Sequence, residues 1–196
     1  MVTLTRNEKK AILILFKDFR KYYNSNSLSN ELNLSRVGCM KILKKLEKEE
    51  LLSKENIGKS IVYKPSLRNE YVLDLLSFLL SDEANNFKRW KDEFKELYKK
   101  ERVVILYGST ITNYPKAKDI DIIVIRKKGE SAEIHKTIQE RQKLLPKKIH
   151  LIDLTPQEFV DNLKQKHKAM TDIVKNSIIL YGQEKYVGLI KNVSSI

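Results

Sequence analysis

The stretch LYGSTITNYPKAKDIDIIVI, Leu106 to Ile125, holds the residues on which the fold of the chain turns. Asp119 and Asp121 stand one residue apart in an otherwise apolar run, and Gly108-Ser109 lies ten residues before them. In a strand, side chains two residues apart project from the same face. The two carboxylates therefore point together and repel each other. They need a cation between them, or water at the edge of a sheet. Mg²⁺ suits the first case, because it takes oxygen ligands and is commonly held by one or two carboxylates plus substrate phosphates. A glycine lets the backbone approach a phosphate, and Ser109 adds a hydroxyl donor. A helix beginning at Ser109 would offer its free amides to an anion. Phosphates at Gly108-Ser109 with metal at Asp119 and Asp121 would fit nucleotidyl transfer. The bland alternative is a pair of strand-end aspartates with no ligand.

Outward from this stretch the pattern is strand and helix in alternation. RVVILYG and DIDIIVI predict buried strands, SAEIHKTIQERQKLL a helix, and KKIHLIDL a third strand. Thr155-Pro156-x-Glu158 predicts a helix start: Thr caps, Pro takes the first helical position, and Glu completes the box. SIILYG, ending at Gly182, is a last apolar segment. His135 and His167 fall on helix-like stretches, and no role follows for them.

The N-terminal part has a different rhythm. Thr5-x-x-Glu8 is a capping-box pattern, followed by Ala11, Ile12, Leu15 and Phe16 at helical spacing. Asn24-Ser25-Asn26 breaks that helix, and Ser27 is the predicted cap of a second one running to Leu32. Asn33-Leu34 is a predicted turn, and Ser35 caps a third helix whose Cys39, Leu43 and Leu46 share one face. LLSKENIGKSIVYKP then predicts a hairpin with Gly58 at its tip and Pro65 at its end. Between residues 69 and 100 lie two further patterns. Val72, Leu73, Leu75, Leu76, Phe78, Leu79 and Leu80 form a dense apolar run, and Phe87, Trp90, Phe94 and Leu97 recur at helical spacing. The apolar run fits a dimer interface or intrachain core equally well; Trp90 is expected in a core.

Charge leaves a nucleic-acid partner and a merely soluble surface evenly matched. The chain has 196 residues and a formal charge of +13. Residues 1–68 hold 15 Lys/Arg against 7 Asp/Glu, residues 69–100 hold 6 against 7, and residues 101–196 hold 17 against 11. A basic first third is what a binder of the phosphate backbone needs, although a lysine-rich composition also simply aids solubility. The single cysteine, Cys39, excludes an intrachain disulfide, and no Cys/His spacing suits a zinc site. No apolar stretch approaches the ~18 residues of a membrane span, and the N-terminus lacks a signal-peptide pattern. The expectation is a soluble, cytoplasmic protein.

Two resemblances sharpen these readings. SLSNELNLSRVGCMKILKKLEKEELLSKENIGKSIVYKP resembles the winged helix-turn-helix regulators of the MarR and ArsR type. That resemblance implies double-stranded DNA as a partner, with the third helix in the major groove. Arg36, Val37, Gly38 and Lys41 would face base edges, Arg36 being suited to guanine. Lys44, Lys45, Lys54 and Lys59 would meet the phosphate backbone. Winged helices usually read paired half-sites, which implies a homodimer. Gly-Ser, nine residues, then Asp-Ile-Asp is similar to the motif of the DNA polymerase beta-like nucleotidyltransferase superfamily in its minimal form. The resemblance covers about residues 101–185. It implies that Gly108 and Ser109 hold the triphosphate of ATP or another NTP, and that Asp119 and Asp121 hold Mg²⁺.

The sequence departs from that superfamily at three places. Thr110-Ile111-Thr112-Asn113 stands where a small residue, an arginine and a glycine commonly follow Gly-Ser. Lys118 replaces a frequent serine. The third carboxylate of active members, a catalytic group, lies at what looks like the position of His150. Asp153 is the other catalytic candidate; it is three residues further on, hence on the opposite face of a regular strand, unless a bulge turns it. His150 could itself act as a base.

The predicted fold class is α+β. A winged helix-turn-helix occupies residues 1–68, a helical connector 69–100, and a small mixed-sheet nucleotidyltransferase-like α/β domain 101–196. The combination resembles small prokaryotic regulators. Two functions remain open: a DNA-binding transcription regulator with a Mg²⁺-dependent nucleotide-binding domain, or a working nucleotidyltransferase. The latter would act on a nucleic acid, a small molecule, or a protein partner in the manner of an antitoxin.

Overall fold

The computed structural model describes residues 3–165 and 168–194, so His167 lies outside it. The chain divides into two compact units, Met1–Leu79 and Leu80–Ile196.

In the first unit, helix α1 (Arg6–Lys17) begins with the predicted capping box. The Thr5 amide donates to Glu8 Oε2 at 2.8 Å, and the Glu8 amide to Thr5 Oγ1 at 3.3 Å. Helix α2 (Ser25–Leu32) starts earlier than the sequence suggested. Asn24, in extended backbone, is its cap and accepts the amides of Asn26 and Ser27 through Oδ1. Ser27 is three positions on, and its hydroxyl accepts the Asn24 amide at 2.9 Å. Asparagine and serine are equally good caps, so local chemistry alone did not choose between them.

Helix α3 (Arg36–Lys48) is capped by Ser35 as predicted. Strands β1 (Leu52–Ile57) and β2 (Ser60–Pro65) form an antiparallel hairpin, with Ile57 opposite Ser60. Gly58 makes the turn at φ 57°, a left-handed conformation open to glycine. Tyr23 adds a single antiparallel bridge to Tyr63. Ala11, Ile12, Leu15, Phe16, Leu28, Cys39, Leu43 and Leu46 are buried, each large apolar side chain contributing about 1.5–3 kcal/mol on burial. Cys39 is core, and burial pushes its thiol pKa up, away from reactivity.

Helix α4 (Glu70–Ala84) contains the division between the units. Val72, Leu76, Leu79 and Leu80 of the apolar run are buried within the chain, whereas Tyr71 and Phe78 are exposed. Residues 80–100 of the predicted connector cluster with the second unit. There Ala84, Trp90, Phe94 and Leu97 join its core.

The second unit continues with helix α5 (Lys88–Glu93), strand β3 (Val103–Tyr107), helix α6 (Ser109–Asn113) and strand β4 (Asp119–Ile125). Helix α7 (Ser131–Gln142), strand β5 (Lys148–Leu154) and helices α8 (Pro156–Lys164) and α9 (Lys168–Lys175) follow. Strand β6 (Ile178–Tyr181) and helix α10 (Gln183–Ser194) end it. Helices α9 and α10 lie outside the elements that the sequence pattern predicts.

The sheet order is β5-β4-β3-β6; β4 and β5 are parallel, and β3 is antiparallel to both of its neighbours. This is a mixed sheet, as predicted. Ile120, Ile122 and Val124 of β4 pack on one face with Trp90, Phe94, Ile134 and Ile138. Ile123 and Ile125 point to the other face and are also buried, which explains the near-continuous apolar strands. Among the described residues, no helix is long and apolar enough to cross a membrane.

Candidate functional site

The alternation that buries Ile123 and Ile125 places Asp119 and Asp121 on the same face of β4, at its N-terminal end. The parallel register sets His150 of β5 directly beside Asp121. His150 Nδ1 lies 3.1 Å from Asp119 Oδ2 and 3.6 Å from Asp121 Oδ1. One ligand atom from each of the three residues falls within 4.8 Å of the others.

Gly108 closes the site from β3. Its neighbour Tyr107 is the register partner of Asp121. A Cβ on Gly108 would lie 2.1 Å from Asp121 Oδ2, and the residue has φ 76°. Only glycine fits both the conformation and the close approach. Helix α6 starts at Ser109, with Gly108 as its N-cap. Thr110 is buried, and its hydroxyl donates to the Asp119 carbonyl at 2.8 Å, tying α6 to the start of β4. In the sequence Thr110 is only part of a departure from the superfamily pattern; in the fold it ties down the backbone that presents Asp119.

The segment before β4 has its own clamp. The Lys147 ammonium donates to the carbonyls of Tyr114, Pro115 and Ala117. It also lies 4.4 Å from the Tyr114 ring centroid, as does the Arg89 guanidinium.

The electrostatics are those of an unbalanced pair. Burial, then the Asp119 charge, raises the Asp121 carboxyl above its usual range; His150 opposes the shift without cancelling it. The Tyr107 phenol is pushed up to about 12 by burial and by the charges of Asp121 and Asp119. Beside Gly108 and Ser109 opens a cleft of about 390 Å³, lined also by Tyr107, Ile111, Thr112, Asp172, Ile173 and Asn176. The last three come from α9 and its end. Met170, Ile173 and Val174 at helical spacing were the available sequence signal for that helix.

Asp153 is not in this cluster. It pairs in register with Val124, and the strand carries no bulge that would turn it. Its side chain meets Arg126 in a bidentate pair, at 2.6 Å from Nε and 3.0 Å from Nη2. Ser131 Oγ also donates to it, and His135 Nε2 lies 3.7 Å away. The reading of Asp153 as a catalytic group is therefore corrected: it lies three residues along a regular strand, on the opposite face, and its oxygens are taken.

In the first unit, Arg36, Val37, Lys41 and Lys44 are exposed on α3, and Val37 is 58% exposed. Gly38 is partly covered, and its amide donates to Ser35 Oγ at 3.1 Å. Lys59 is exposed at the hairpin turn. Two predicted backbone contacts, Lys45 and Lys54, are not buried, but each pairs with a carboxylate of the chain. Lys45 Nζ donates to both oxygens of the buried Glu8 at 3.0 Å and to the Thr3 carbonyl. Lys54 pairs with Glu47 at 2.9 Å. The winged-helix resemblance puts both at the phosphate backbone, and the sequence carries no sign of these carboxylate partners.

Residues 87–181 match the family model of the nucleotidyltransferase domain. The match spans Gly108, Ser109, Asp119, Asp121, His150 and Asp153, and it supports a nucleotidyltransferase domain in the second unit. No curated protein and no solved structure matches the chain.

Proposed function

We propose that this chain is a DNA-binding transcription regulator whose second unit binds a nucleoside triphosphate through a divalent cation. One observation carries the nucleotide reading. The donor atoms of Asp119, Asp121 and His150 converge at the end of the sheet where Gly108 and Ser109 border a cleft. The donor set fits a divalent cation, and the space that a Cβ at Gly108 would fill brings the backbone against Asp121. Asp119 and Asp121 would hold the ion, Mg²⁺ being the common partner of phosphates. Gly108 and Ser109 would hold the phosphates, and the cleft toward α9 would take the nucleoside. A bound cation would neutralise charge on the phosphates.

The DNA reading rests on the three-helix and hairpin order of the first unit and on its net charge of +8 over residues 1–68. Arg36, Val37, Gly38 and Lys41 would meet bases, and Lys44 and Lys59 the backbone. A homodimer in the cytoplasm, reading paired half-sites, belongs to this proposal. If the two sites are coupled, nucleotide and DNA change each other's affinity by the same factor.

Calorimetry of ATP with Mg²⁺ tests the nucleotide site. Wild type should bind, and Asp119→Ala/Asp121→Ala should not. Equal binding by both would overturn the site.

A second reading is a working nucleotidyltransferase, favoured by the position of His150 Nδ1, 3.1 Å from Asp119. An acceptor hydroxyl of a nucleic acid, a small molecule or a protein partner would bond to the α-phosphorus. Pyrophosphate would leave with the bonding electrons, and the proton would pass to solvent or to His150. Pyrophosphate release on adding an acceptor distinguishes this reading from simple binding.

A further inference from the structure

We propose that His150 is a metal ligand that shifts the site's preference from Mg²⁺ toward Mn²⁺ and the later divalent d-block ions. The proposal rests on the cation site put forward above and deepens it.

Three features carry it. The first is placement: parallel register sets His150 beside Asp121, so its imidazole reaches the carboxylates without any loop having to move. The second is spacing. Ligands about 2.0–2.2 Å from one ion stand about 3.0–3.5 Å apart when they are adjacent in its coordination shell. Nδ1 stands 3.1 Å from Asp119 Oδ2, inside that range, and 3.6 Å from Asp121 Oδ1, just beyond it. The third is donor chemistry. Mg²⁺ favours oxygen and gives up water reluctantly. Imidazole suits borderline metals, and affinity for a nitrogen-containing set rises from Mn²⁺ through Co²⁺ toward Zn²⁺.

Charge acts in the same sense. Two carboxylates and a neutral imidazole carry two negative charges, which one divalent ion balances. A third carboxylate would add a charge that favours hard ions and leave an excess for a second one. Here the nearest further carboxylate on β5, Asp153, is held by Arg126 and Ser131 on the other face. Replacing a third carboxylate with His150 thus favours a single, softer ion over a pair of hard ones.

The test titrates Mn²⁺ into the full-length chain and follows loss of the free aquo-ion signal by electron paramagnetic resonance, with Mg²⁺ as competitor. His150→Asp restores an all-oxygen set, and Asp119→Asn weakens the site as a whole. The Mn²⁺-over-Mg²⁺ preference of wild type should exceed that of His150→Asp by on the order of tenfold or more. Spin-echo modulation from a histidine nitrogen should accompany Mn²⁺ bound to wild type and be absent from His150→Asp. Equal preferences in the two proteins, or no nitrogen coupling in wild type, would overturn the proposal while leaving the cation site intact. No uptake of either ion by wild type would overturn the proposal and the cation site together. The nitrogen signal is read on wild type, so the result stands even if a variant fails to fold.

Discussion

Strands β4 and β5 carry acidic groups at both ends, and the two ends have opposite environments. At one end, Asp119 and Asp121 stand side by side with the His150 imidazole against them. At the other, Asp153 is gripped by Arg126 and Ser131. Burial alone would raise Asp153, but the Arg126 and Ser131 hydrogen bonds and the Arg126 charge outweigh it and hold the carboxyl below its usual range. For Asp121, burial and the Asp119 charge win, and the carboxyl is raised. A carboxylate whose charge is already balanced contributes to folding; one left unbalanced is available to a ligand. The same pair of strands thus supplies a structural ion pair and a candidate site.

The most severe way to break this contrast is Gly108→Ala. The new methyl group would collide with Asp121 Oδ2 at a left-handed φ. Strain and overpacking together are expected to cost about 3 kcal/mol of stability in urea unfolding. Mg²⁺–ATP binding should also fall below detection by calorimetry. Wild-type binding by this variant would show that the close approach of Gly108 to Asp121 does not matter.

Asp153→Ala probes the other end. It strands the Arg126 guanidinium, which is largely covered, and should cost about 2 kcal/mol. Nucleotide affinity should stay within about twofold of wild type, a negligible free-energy change. A large loss of affinity in a stable, folded variant would return Asp153 to the site.

Acid unfolding sharpens the comparison, and the two aspartates carry opposite signs. Asp153 is lowered, so its stabilisation is present above the unfolded carboxylate pKa of about 3.9 and is lost as pH falls through its folded value. Asp153→Asn should therefore destabilise at about pH 6 and progressively less on acidification. Asp121 is raised, so its ionisation opposes folding above that range and is without effect below it. With chelator present, Asp121→Asn should stabilise at about pH 6 and be neutral near pH 3. Effects of the same sign at both positions would remove the distinction between the two ends.

The smallest effects are expected in the first unit, where Lys44 and Lys45 repeat the contrast. Lys45→Ala removes the partner of buried Glu8 and should cost about 1 kcal/mol of stability. Lys44→Ala should leave stability within about 0.5 kcal/mol and reduce the salt dependence of DNA binding by about one unit of slope. Equal DNA phenotypes for the two variants would mean that the Glu8 contact does not hold Lys45 away from a phosphate.

What the sequence by itself determined is local. Thr5, Ser35 and Thr155 act as caps because a cap is a matter of three consecutive amides. Gly58 makes the hairpin turn, and Asp119 and Asp121 share a face, because strand alternation has a period of two. The choice of Asn24 over Ser27 was lost because two good caps compete within one segment. Helix α9 and its share of the cleft were lost because a short amphipathic helix gives little pattern.

Only the tertiary structure decided which groups meet. His150 reaches Asp119 and Asp121 because β5 lies parallel to β4 in one particular register, and burial of both strands' apolar faces holds that register. Asp153, Lys45 and Lys54 each meet a partner that the sequence did not announce: Arg126, Glu8 and Glu47. Sequence spacing reports which way a side chain points over a few residues. What it points at depends on strands and helices brought together from far along the chain, and packing of the core makes that choice.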